Sequence, residues 1–449
     1  MMMAAALGVL VSCGSVKSGE EVVAASRDSK VVVAYVTSWS EVMPDPQYMT
    51  HINYAFGHVN ESFNGVKIDN EERLRQIVDL RKQKPELKVL LSIGGWGSGR
   101  FSEMAANDEY RRAFVADCAR VVKEFALDGI DIDWEYPTSS MANISSSPDD
   151  TENFTLLMQD IRAAIGNEKE LTLATVASAR YIDFKAILPS VDFVNIMAYD
   201  MASAPKHHSA LYPSGHSGDI TSDGAVTAHL KAGVPPSKLV MGMPFYGRGG
   251  DGYPSFQDYN KVGNTDTQYT EKWDEVAQVP YLADKNDTLV FGFENPRSLA
   301  IKCQYILDKD LLGGMYWDYS GDNEQGDLRR TVAENLLGKP HKAKVLVLTE
   351  RGGQHGGFTD AGLRWLAAEG VKGNFSITEI NNARNITEAY LSQFSLVIQL
   401  DFPPYTWPKE AEDAFVKYIE EGHGGWIGFH HATLLGEFDG YPMWQWFSD

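Results

Sequence analysis

The stretch DGIDIDWEYP, residues 128–137, sets three carboxylates into a segment that otherwise has the pattern of a buried strand. Asp131, Asp133 and Glu135 alternate with β-branched and aromatic residues, which favour strands. The alternation therefore predicts a strand and not a solvated run of charge. Because side chains at i, i+2 and i+4 lie on one face of a strand, the three acids share a face, about 6.6 Å apart at each step. The opposite face carries Ile130, Ile132 and Trp134.

This strand is the fourth of eight short β-branched and aromatic runs along the chain. The eight runs are residues 31–36, 51–57, 88–95, 129–135, 171–178, 191–200, 238–247 and 313–320. Segments with apolar residues at helical spacing, such as 70–84 and 108–129, lie between consecutive runs. Eight alternations of strand and helix over roughly 300 residues predict an α/β fold, a (β/α)8 TIM barrel, with a doubly wound sheet as the structural alternative.

In a barrel the apolar face of the fourth strand lies under the helices, so its acids point inward. Glu135 is nearest the carboxyl end, where barrel enzymes have their active sites. Burial and neighbouring carboxylates both raise the pKa of an acid, so we expect Glu135 to hold a proton near neutral pH and to serve as a general acid. Asp131 and Asp133 are expected to share a proton below it. Asp128 has the opposite parity, which predicts a structural place at the strand entrance.

Two other interpretations of the acids remain. They could meet cations or water inside the barrel without any catalytic purpose, although buried charge is retained chiefly where it is paired or used. They could also bind a metal, but no histidine lies near them in the sequence and other strands would have to supply ligands. We therefore expect a catalytic site with no metal and no cofactor.

Two segments fall outside the eightfold pattern. Residues 249–295, rich in Gly, Asp and Tyr, separate the seventh strand from its helix at 296–310 and predict a short insertion after strand 7. GKPHKA, residues 338–343, predicts a linker to a second alternation of strands and helices. The strands are expected at 344–350, 394–401 and 424–432, and the helices at 359–370 and 409–422.

The expected organisation is a signal and tether at 1–30, a barrel at 31–338, and at 344–449 a second α/β domain that stops before it is complete.

The charge balance of the chain bears on its partners. The 449 residues include 40 basic and 61 acidic ones, for a net charge of −21. This balance, with no Lys/Arg cluster and no zinc-like Cys/His spacing, argues against a nucleic-acid partner. A neutral polymer or oligosaccharide is compatible with it.

The amino-terminal segment MMMAAALGVLVSCGS resembles a bacterial lipoprotein signal with its lipobox. The resemblance implies cleavage before Cys13, lipidation of Cys13, and a polar tether that ends near Lys30. The run is too short to span a bilayer, so any membrane attachment would be through the lipid. No Lys or Arg precedes the apolar run, which leaves a chance apolar tail as the alternative. The lipoprotein interpretation predicts an exported protein, anchored at the cell envelope or secreted.

The stretch DGIDIDWEYP resembles the catalytic signature of glycoside hydrolase family 18, the chitinase-like enzymes. Further stretches resemble the family's motifs on the third, sixth, seventh and eighth strands: LLSIGGW (90–96), MAYD (197–200), GMPFYGR (242–248) and GGMYWDYS (313–320). The resemblance covers about residues 31–338 and agrees with the strand count. It implies a glycosidase whose general acid/base is Glu135. Asp133 would orient the substrate's 2-acetamido group, and Asp131 would share a proton with Asp133.

The same resemblance implies roles for further residues. Tyr199 and Asp200 would hydrogen-bond the acetamido carbonyl and the sugar beside the scissile bond, and that sugar would stack on Trp317, although an isolated Trp is by default a core residue. Further substrate-lining residues would be Tyr35, Tyr246 and Arg248. Supporting positions near the acids would be Asp128, Ser92, Gly94 and Gly95.

Substrate-assisted hydrolysis is the chemistry that this family implies, with the N-acetyl oxygen as nucleophile and an oxazolinium intermediate. The implied function is retaining cleavage of β-1,4 bonds next to N-acetylglucosamine in chitin or chitooligosaccharides. The alternatives are an endo-β-N-acetylglucosaminidase that acts on N-glycans and a catalytically weak glycan-binding protein. The insertion is shorter than in many deep-cleft members, which argues against processive digestion of crystalline chitin.

Residues 344–449 resemble the ThuA-like domain, a flavodoxin-like or amidotransferase-like α/β fold associated with sugar metabolism. KVLVLTERGGQHGGF, YIEEGHGGWIGFHHAT and YPMWQWFSD carry the likeness. His355, His423, His430 and His431 suggest a metal or acid/base site. Histidines beside glycines at strand ends are more often structural, and both interpretations remain open.

Overall fold

The computed structural model describes residues 30–250, 253–262, 268–338, 343–351, 356–373, 375–405, 407–434, 437, 440, 442 and 444–448. The chain divides into two compact units, Met1–Gly338 and Lys339–Asp449. The lipoprotein segment with Cys13 lies outside the described residues, so lipidation remains a prediction. No helix in the described part of the chain is long and apolar enough to cross a membrane.

Eight parallel strands of the first unit close into a barrel. They are β1 (Val31–Thr37), β2 (His51–Val59), β4 (Lys88–Gly94), β5 (Gly129–Asp133), β6 (Glu170–Val176), β7 (Phe193–Met197), β8 (Leu239–Pro244) and β14 (Gly313–Trp317). The order is β1-β14-β8-β7-β6-β5-β4-β2, and pairing of β1 with β2 closes the ring. A short strand, β3 (Val66–Ile68), adds to β2 antiparallel. All eight predicted strands are present, and the barrel is confirmed over the doubly wound sheet.

Helices cover the outside of the barrel. In chain order they are Glu71–Val78, Phe101–Ala106, Asp108–Glu124, Asp150–Ile165, Phe184–Ile187, Ser222–Lys231, Pro296–Asp308 and Asp327–Leu336. Their apolar faces and the outward faces of the strands form the main core of this unit. A second apolar cluster fills part of the barrel interior, from Val33 on β1 to Met315 on β14.

Strand β5 has the parity that its sequence predicts. Ile130, Ile132 and Trp134 are buried in the outer core, where the Trp134 ring stacks on Phe101 at 5.2 Å between centroids. The strand ends at Asp133, two residues earlier than predicted, so that Glu135 lies just beyond its carboxyl end.

Asp128 lies at the entrance of β5, as its parity predicts. Its Oδ2 accepts a hydrogen bond from the backbone N–H of Val89 at 2.7 Å and pairs with Arg81 at the same distance. Asp128 thus ties β5 to the start of β4 and lies outside the catalytic column.

The predicted insertion after the seventh barrel strand forms a small antiparallel sheet. Its strands are β9 (Tyr246–Gly249), β10 (Gln257–Asp258), β11 (Thr270–Asp274), β12 (Val279–Ala283) and β13 (Leu289–Gly292), in the order β10-β9-β13-β12-β11. Only Phe245 separates β8 from β9, so the first strand of the insertion continues directly from the barrel.

The second unit contains a four-stranded parallel sheet in the order β16-β15-β17-β18. The strands are β15 (Ala343–Leu348), β16 (Phe375–Ile380), β17 (Leu396–Gln399) and β18 (Gly425–Gly428). The helices are Gly356–Gly373, Glu388–Leu391, Lys409–Glu420 and Gln445–Ser448. The sequence predicted three of these strands but missed β16, an edge strand in which every position is partly or fully exposed.

Gly94 supplies a stability test of the barrel. Its φ is +133°, and a Cβ there would lie 2.0 Å from the carbonyl oxygen of Asp133. We expect Gly94→Ala to lower the free energy of unfolding by about 3 kcal/mol, because left-handed strain and overpacking add. The matched control is Gly338→Ala, whose φ is +83° with nothing within 4 Å; it should cost about 1 kcal/mol. Urea denaturation measures both, and equal losses would contradict the close approach.

Candidate active site

A cleft of about 630 Å³ opens at the carboxyl end of the barrel strands. Eight of the residues singled out in the sequence line it: Tyr35, Asp133, Glu135, Tyr199, Asp200, Tyr246, Arg248 and Trp317. Asp131 and Ser92 are fully buried and do not line this cleft. The strand-end motifs, which are far apart in the sequence, therefore converge at one site.

Asp131 lies buried at the bottom of the site and accepts four hydrogen bonds. Its Oδ2 accepts from Tyr35 and Ser92, each at 2.8 Å. Its Oδ1 accepts from Thr172 at 2.6 Å and from Asn195 at 3.3 Å. Burial raises the pKa of Asp131, and the hydrogen bonds oppose that rise by stabilising the carboxylate.

Strand register explains two of these donors. Ser92 on β4 and Thr172 on β6 lie directly opposite Asp131 in the ladders on either side of β5. Thr172 and Asn195 were missed by sequence reasoning. The available signal was a polar side chain inside an otherwise apolar strand, in LTLATV and in FVNIM.

Asp133 lies one step further up β5 and faces the cleft. Asp133 is 4% exposed, and within the described part of the chain its Oδ1 has no hydrogen-bond partner. Burial raises the pKa of Asp133 well above its usual range, and the charges of Glu135 and Asp131 add to the rise. Since the oxygens of Asp131 already accept four hydrogen bonds, the arrangement favours the proton on Asp133.

Glu135 lies above Asp133 at the mouth of the barrel. Burial raises the pKa of Glu135 to about 7, a hydrogen bond with Tyr136 lowers it, and the charge of Asp200 raises it further. A carboxyl group that titrates near neutral pH can donate a proton and take one back in a single reaction cycle. Tyr136 was not singled out in the sequence, although it lies in the quoted signature.

Asp200 and Arg248 form a bidentate pair across the cleft. Arg248 Nε and Nη2 donate to the two carboxylate oxygens of Asp200, each at 2.7 Å. Burial alone would raise the pKa of Asp200, but the hydrogen bonds from Arg248, and after them the interaction with the nearby His208 imidazole, hold it well below its usual range. Asp200 therefore stays charged, and its field acts on Glu135.

Aromatic rings surround the acids. Trp317 packs against Tyr35 and Phe56, with ring centroids 5.6 and 5.5 Å apart, and is half-buried with a face in the cleft. Trp39 and Trp96 also line the cleft and remain 64% and 61% exposed. Exposed rings beside a polar site suit the apolar faces of sugar rings. Sequence reasoning missed Trp39 because an isolated Trp carries no positional signal, and it did not single out Trp96 although that residue ends the quoted motif LLSIGGW.

Tyrosine hydroxyls add donors around the acids. Burial, then the charges of nearby carboxylates, raise the pKa of Tyr35 and of Tyr199 well above the usual tyrosine range. Both hydroxyls therefore keep their protons and can donate hydrogen bonds. Gly95, at φ +94°, lies against the Phe56 ring, which a Cβ would meet at 2.6 Å.

The second unit brings together two of its four candidate histidines. His430 and His431 stack at 4.3 Å, and His431 Nδ1 lies 3.1 Å from Glu350 Oε2. His423 pairs with Glu421 on the surface, and His355 lies outside the described residues. Among the residues that the structure describes, no group of three or more His, Cys, Asp or Glu could hold a metal ion.

Comparison with known proteins identifies the barrel. The family model for glycosyl hydrolases family 18 matches residues 31–322. The chain belongs to family 18 of the glycosyl hydrolases. It is therefore a glycosidase at the level of its family. The model named Trehalose utilisation, ThuA, matches residues 344–449, which confirms both resemblances.

Relatives in this family include chitinases. Chitinase A1 of Niallia circulans is 29% identical over 67% of this chain, and the match spans 58% of that protein. Chitotriosidase-1 of Mus musculus is 31% identical over 66% of this chain and 74% of its own length. Among solved structures, a family 18 N-acetylglucosaminidase from Paenibacillus barengoltzii has a TM-score of 0.64 at 32% identity, covering 68% of this chain and all of that one.

The pKa of Glu135 supplies a test of the site. We expect Glu135 to titrate near pH 7 in the native protein and at a lower pH in Asp200→Asn, because that substitution removes a negative charge that favours the protonated form. Carbon-13 NMR of the glutamate carboxyl groups, assigned with Glu135→Gln, measures both values. An unchanged or higher pKa in Asp200→Asn would contradict the coupling.

Proposed function

We propose that the barrel is a retaining glycosidase that cleaves β-1,4 bonds next to N-acetylglucosamine in chitin or chitooligosaccharides by substrate assistance. The observation that carries this proposal is the open Oδ1 of Asp133, buried below the proton donor and facing the cleft. Such an acceptor suits the N–H of a 2-acetamido group, and a buried acceptor without a partner is costly unless a ligand completes it.

The proposed reaction begins with proton donation from Glu135 to the leaving glycosidic oxygen. The acetamido carbonyl oxygen attacks the anomeric carbon from the other face, and an oxazolinium ion forms. Asp133 accepts the acetamido N–H at its open Oδ1. The negative charge of Asp131, which its four hydrogen-bond donors hold in place, stabilises the positive charge that develops on the acetamido group above it. Glu135, now a carboxylate, takes a proton from the water that opens the intermediate.

The remaining site residues position the sugar in this proposal. Trp317 forms the apolar floor of the subsite, and the Tyr199 hydroxyl donates to the acetamido carbonyl. Asp200 and Arg248 bind hydroxyls beside the scissile bond. Ser92, Gly94 and Asp128 act at a distance, through the placement of β4 and β5.

Two alternative functions share this geometry. An endo-β-N-acetylglucosaminidase that cuts N-glycans would use the same acids, and a glycan-binding protein would use the same cleft without turnover. Hydrolysis of chitotetraose and of a high-mannose glycopeptide by the full chain separates the three. Binding of either substrate without cleavage would overturn the enzymatic proposal.

Two further proposals concern lipidation of Cys13 and the limits of the two domains. We infer that the chain is exported and carried at the cell envelope through a lipid on Cys13, with a catalytic barrel at residues 31–338 and a separate α/β domain at 344–449. The motif around Cys13 supports the first part, and the division after Gly338 supports the second. Metabolic labelling with palmitate, with Cys13→Ala as control, tests the anchor; equal labelling of both would contradict it.

Glu135→Gln is the direct test of the acid assignment. We expect kcat on chitotetraose to fall by a factor of about 10² to 10⁴, because the amide cannot donate the proton. The thermal midpoint should change little, since the amide has nearly the same volume. Activity close to the native value in a folded Glu135→Gln variant would contradict the assignment.

A thiazoline analogue of the bound intermediate tests substrate assistance. It should inhibit the native protein competitively and bind more weakly to Asp133→Ala, which lacks the carboxyl group proposed to hydrogen-bond with its ring nitrogen. Inhibition kinetics and calorimetry measure the two effects. Hydrolysis that persists at saturating analogue would contradict substrate assistance but would leave the assignment of Glu135 as the general acid unaffected.

A further inference from the structure

His208 is a buried imidazole beside the cleft that the proposed reaction does not use. It lies in the loop after β7, its residue is 1% exposed, and neither ring nitrogen has a hydrogen-bond partner of ordinary geometry in the described part of the chain. Its Nδ1 lies 3.5 Å from Oδ1 of Asp200, at the long limit of a hydrogen bond. Buried polar groups are nearly always partnered, so an imidazole left against one carboxylate calls for an explanation.

The residues on either side of His208 are held by the insertion after β8. His207 Nε2 lies 3.2 Å from Asp274 Oδ2 on β11. Ser209 donates from its hydroxyl to Glu294 at 2.6 Å, and Glu294 is itself fully buried. These contacts anchor the loop before and after His208. The backbone at His208 therefore cannot move away from Asp200 without breaking buried interactions.

Asp200 needs such support because its backbone is unusual. It is a non-glycine residue with φ +54°, the left-handed region, and its side chain reaches the cleft from a loop. Arg248 engages both carboxylate oxygens, but its own side chain is 32% exposed and extends from the insertion. His208 offers a second, fully buried partner. It also packs on the ring of Tyr246, with centroids 5.4 Å apart.

We propose that His208 is a positioning residue for hydrolysis: it donates from Nδ1 to Asp200 and, with Arg248, fixes that carboxylate beside Glu135. The proposal rests on the proposed function, because it assigns Asp200 to the sugar next to the scissile bond. It also gives the insertion a role, since the insertion holds the loop that carries His208. Loss of the donor lets Asp200 turn away from the substrate, which weakens catalysis without removing a group that touches the reacting atoms.

Two substitutions at His208 separate positioning from packing. An Asn side-chain amide can place a donor where Nδ1 lies, whereas Leu fills the buried space without any donor. We expect His208→Asn to keep kcat/KM on chitotetraose within about threefold of the native value and His208→Leu to lose about 10- to 100-fold, a scale typical of misplaced groups. A purely structural role predicts the reverse order, because Leu suits a buried site better than an amide does.

A double-mutant cycle and a matched control complete the kinetics. In an Asp200→Asn background, His208→Leu should cost little more, since the partner is already altered. The control is His229→Leu, another fully buried histidine, which contacts the carbonyl of Ala225 and the Phe184 ring far from the acids. It should lower the thermal midpoint while leaving kcat/KM of the folded protein unchanged. Additive losses in the cycle would overturn the proposal.

Nitrogen-15 NMR of the imidazoles tests the contact even if His208→Leu does not fold. We expect the native His208 to carry its proton on Nδ1 and to change its Nδ1 shift in Asp200→Asn. A proton on Nε2 alone, or no response to Asp200→Asn, overturns the inference. An inactive native protein would instead overturn the proposed function, and the NMR result would still decide whether His208 donates to Asp200.

Discussion

The four hydrogen bonds to Asp131 are the constraint on which the site depends. A carboxylate buried at the centre of a barrel is tolerated only when its oxygens are satisfied, and here donors from β1, β4, β6 and β7 satisfy them. Each donor comes from a different strand, so the charge can be held only when the barrel is closed. Closure of the barrel and stabilisation of the buried Asp131 carboxylate therefore depend on the same set of strands.

The column above Asp131 follows from this arrangement. The hydrogen bonds stabilise Asp131 as a carboxylate. Burial and the charges of Glu135 and Asp131 raise the pKa of Asp133, the next acid along the column, so that it favours its protonated form. Glu135, at the mouth, has a pKa near neutrality and can work as both acid and base. Three chemically similar side chains on and just beyond β5 thus acquire three different properties from their burial, their hydrogen-bond donors and the charges around them.

The sequence predicted the parts of the structure that depend on local pattern. Parity placed Asp131, Asp133 and Glu135 on the inward face and Trp134 under a helix, and the strand count predicted the closed barrel. The motifs at the strand ends also predicted which side chains line the cleft. Parity and the strand count could be predicted because they depend on patterns within short segments, whereas the side chains that line the cleft were predicted from the resemblance of the strand-end motifs to family 18.

Other features depended on contacts between distant segments and escaped prediction. Thr172 and Asn195 are donors only because register and closure bring them to Asp131. Strand β16 is an exposed edge with weak burial, and the contact of His208 with Asp200 requires the inserted sheet to hold a loop. Such features depend on tertiary placement, which no local periodicity encodes.

The anomeric configuration of the first product tests the central claim most directly. Proton NMR of chitotetraose hydrolysis, recorded before mutarotation, distinguishes the two anomers of the new reducing end. A substrate-assisted double displacement on this site predicts the β-anomer first, with the α-anomer growing only as mutarotation proceeds. Initial release of the α-anomer would mean direct attack by water, and would contradict the roles given to Asp133 and Glu135.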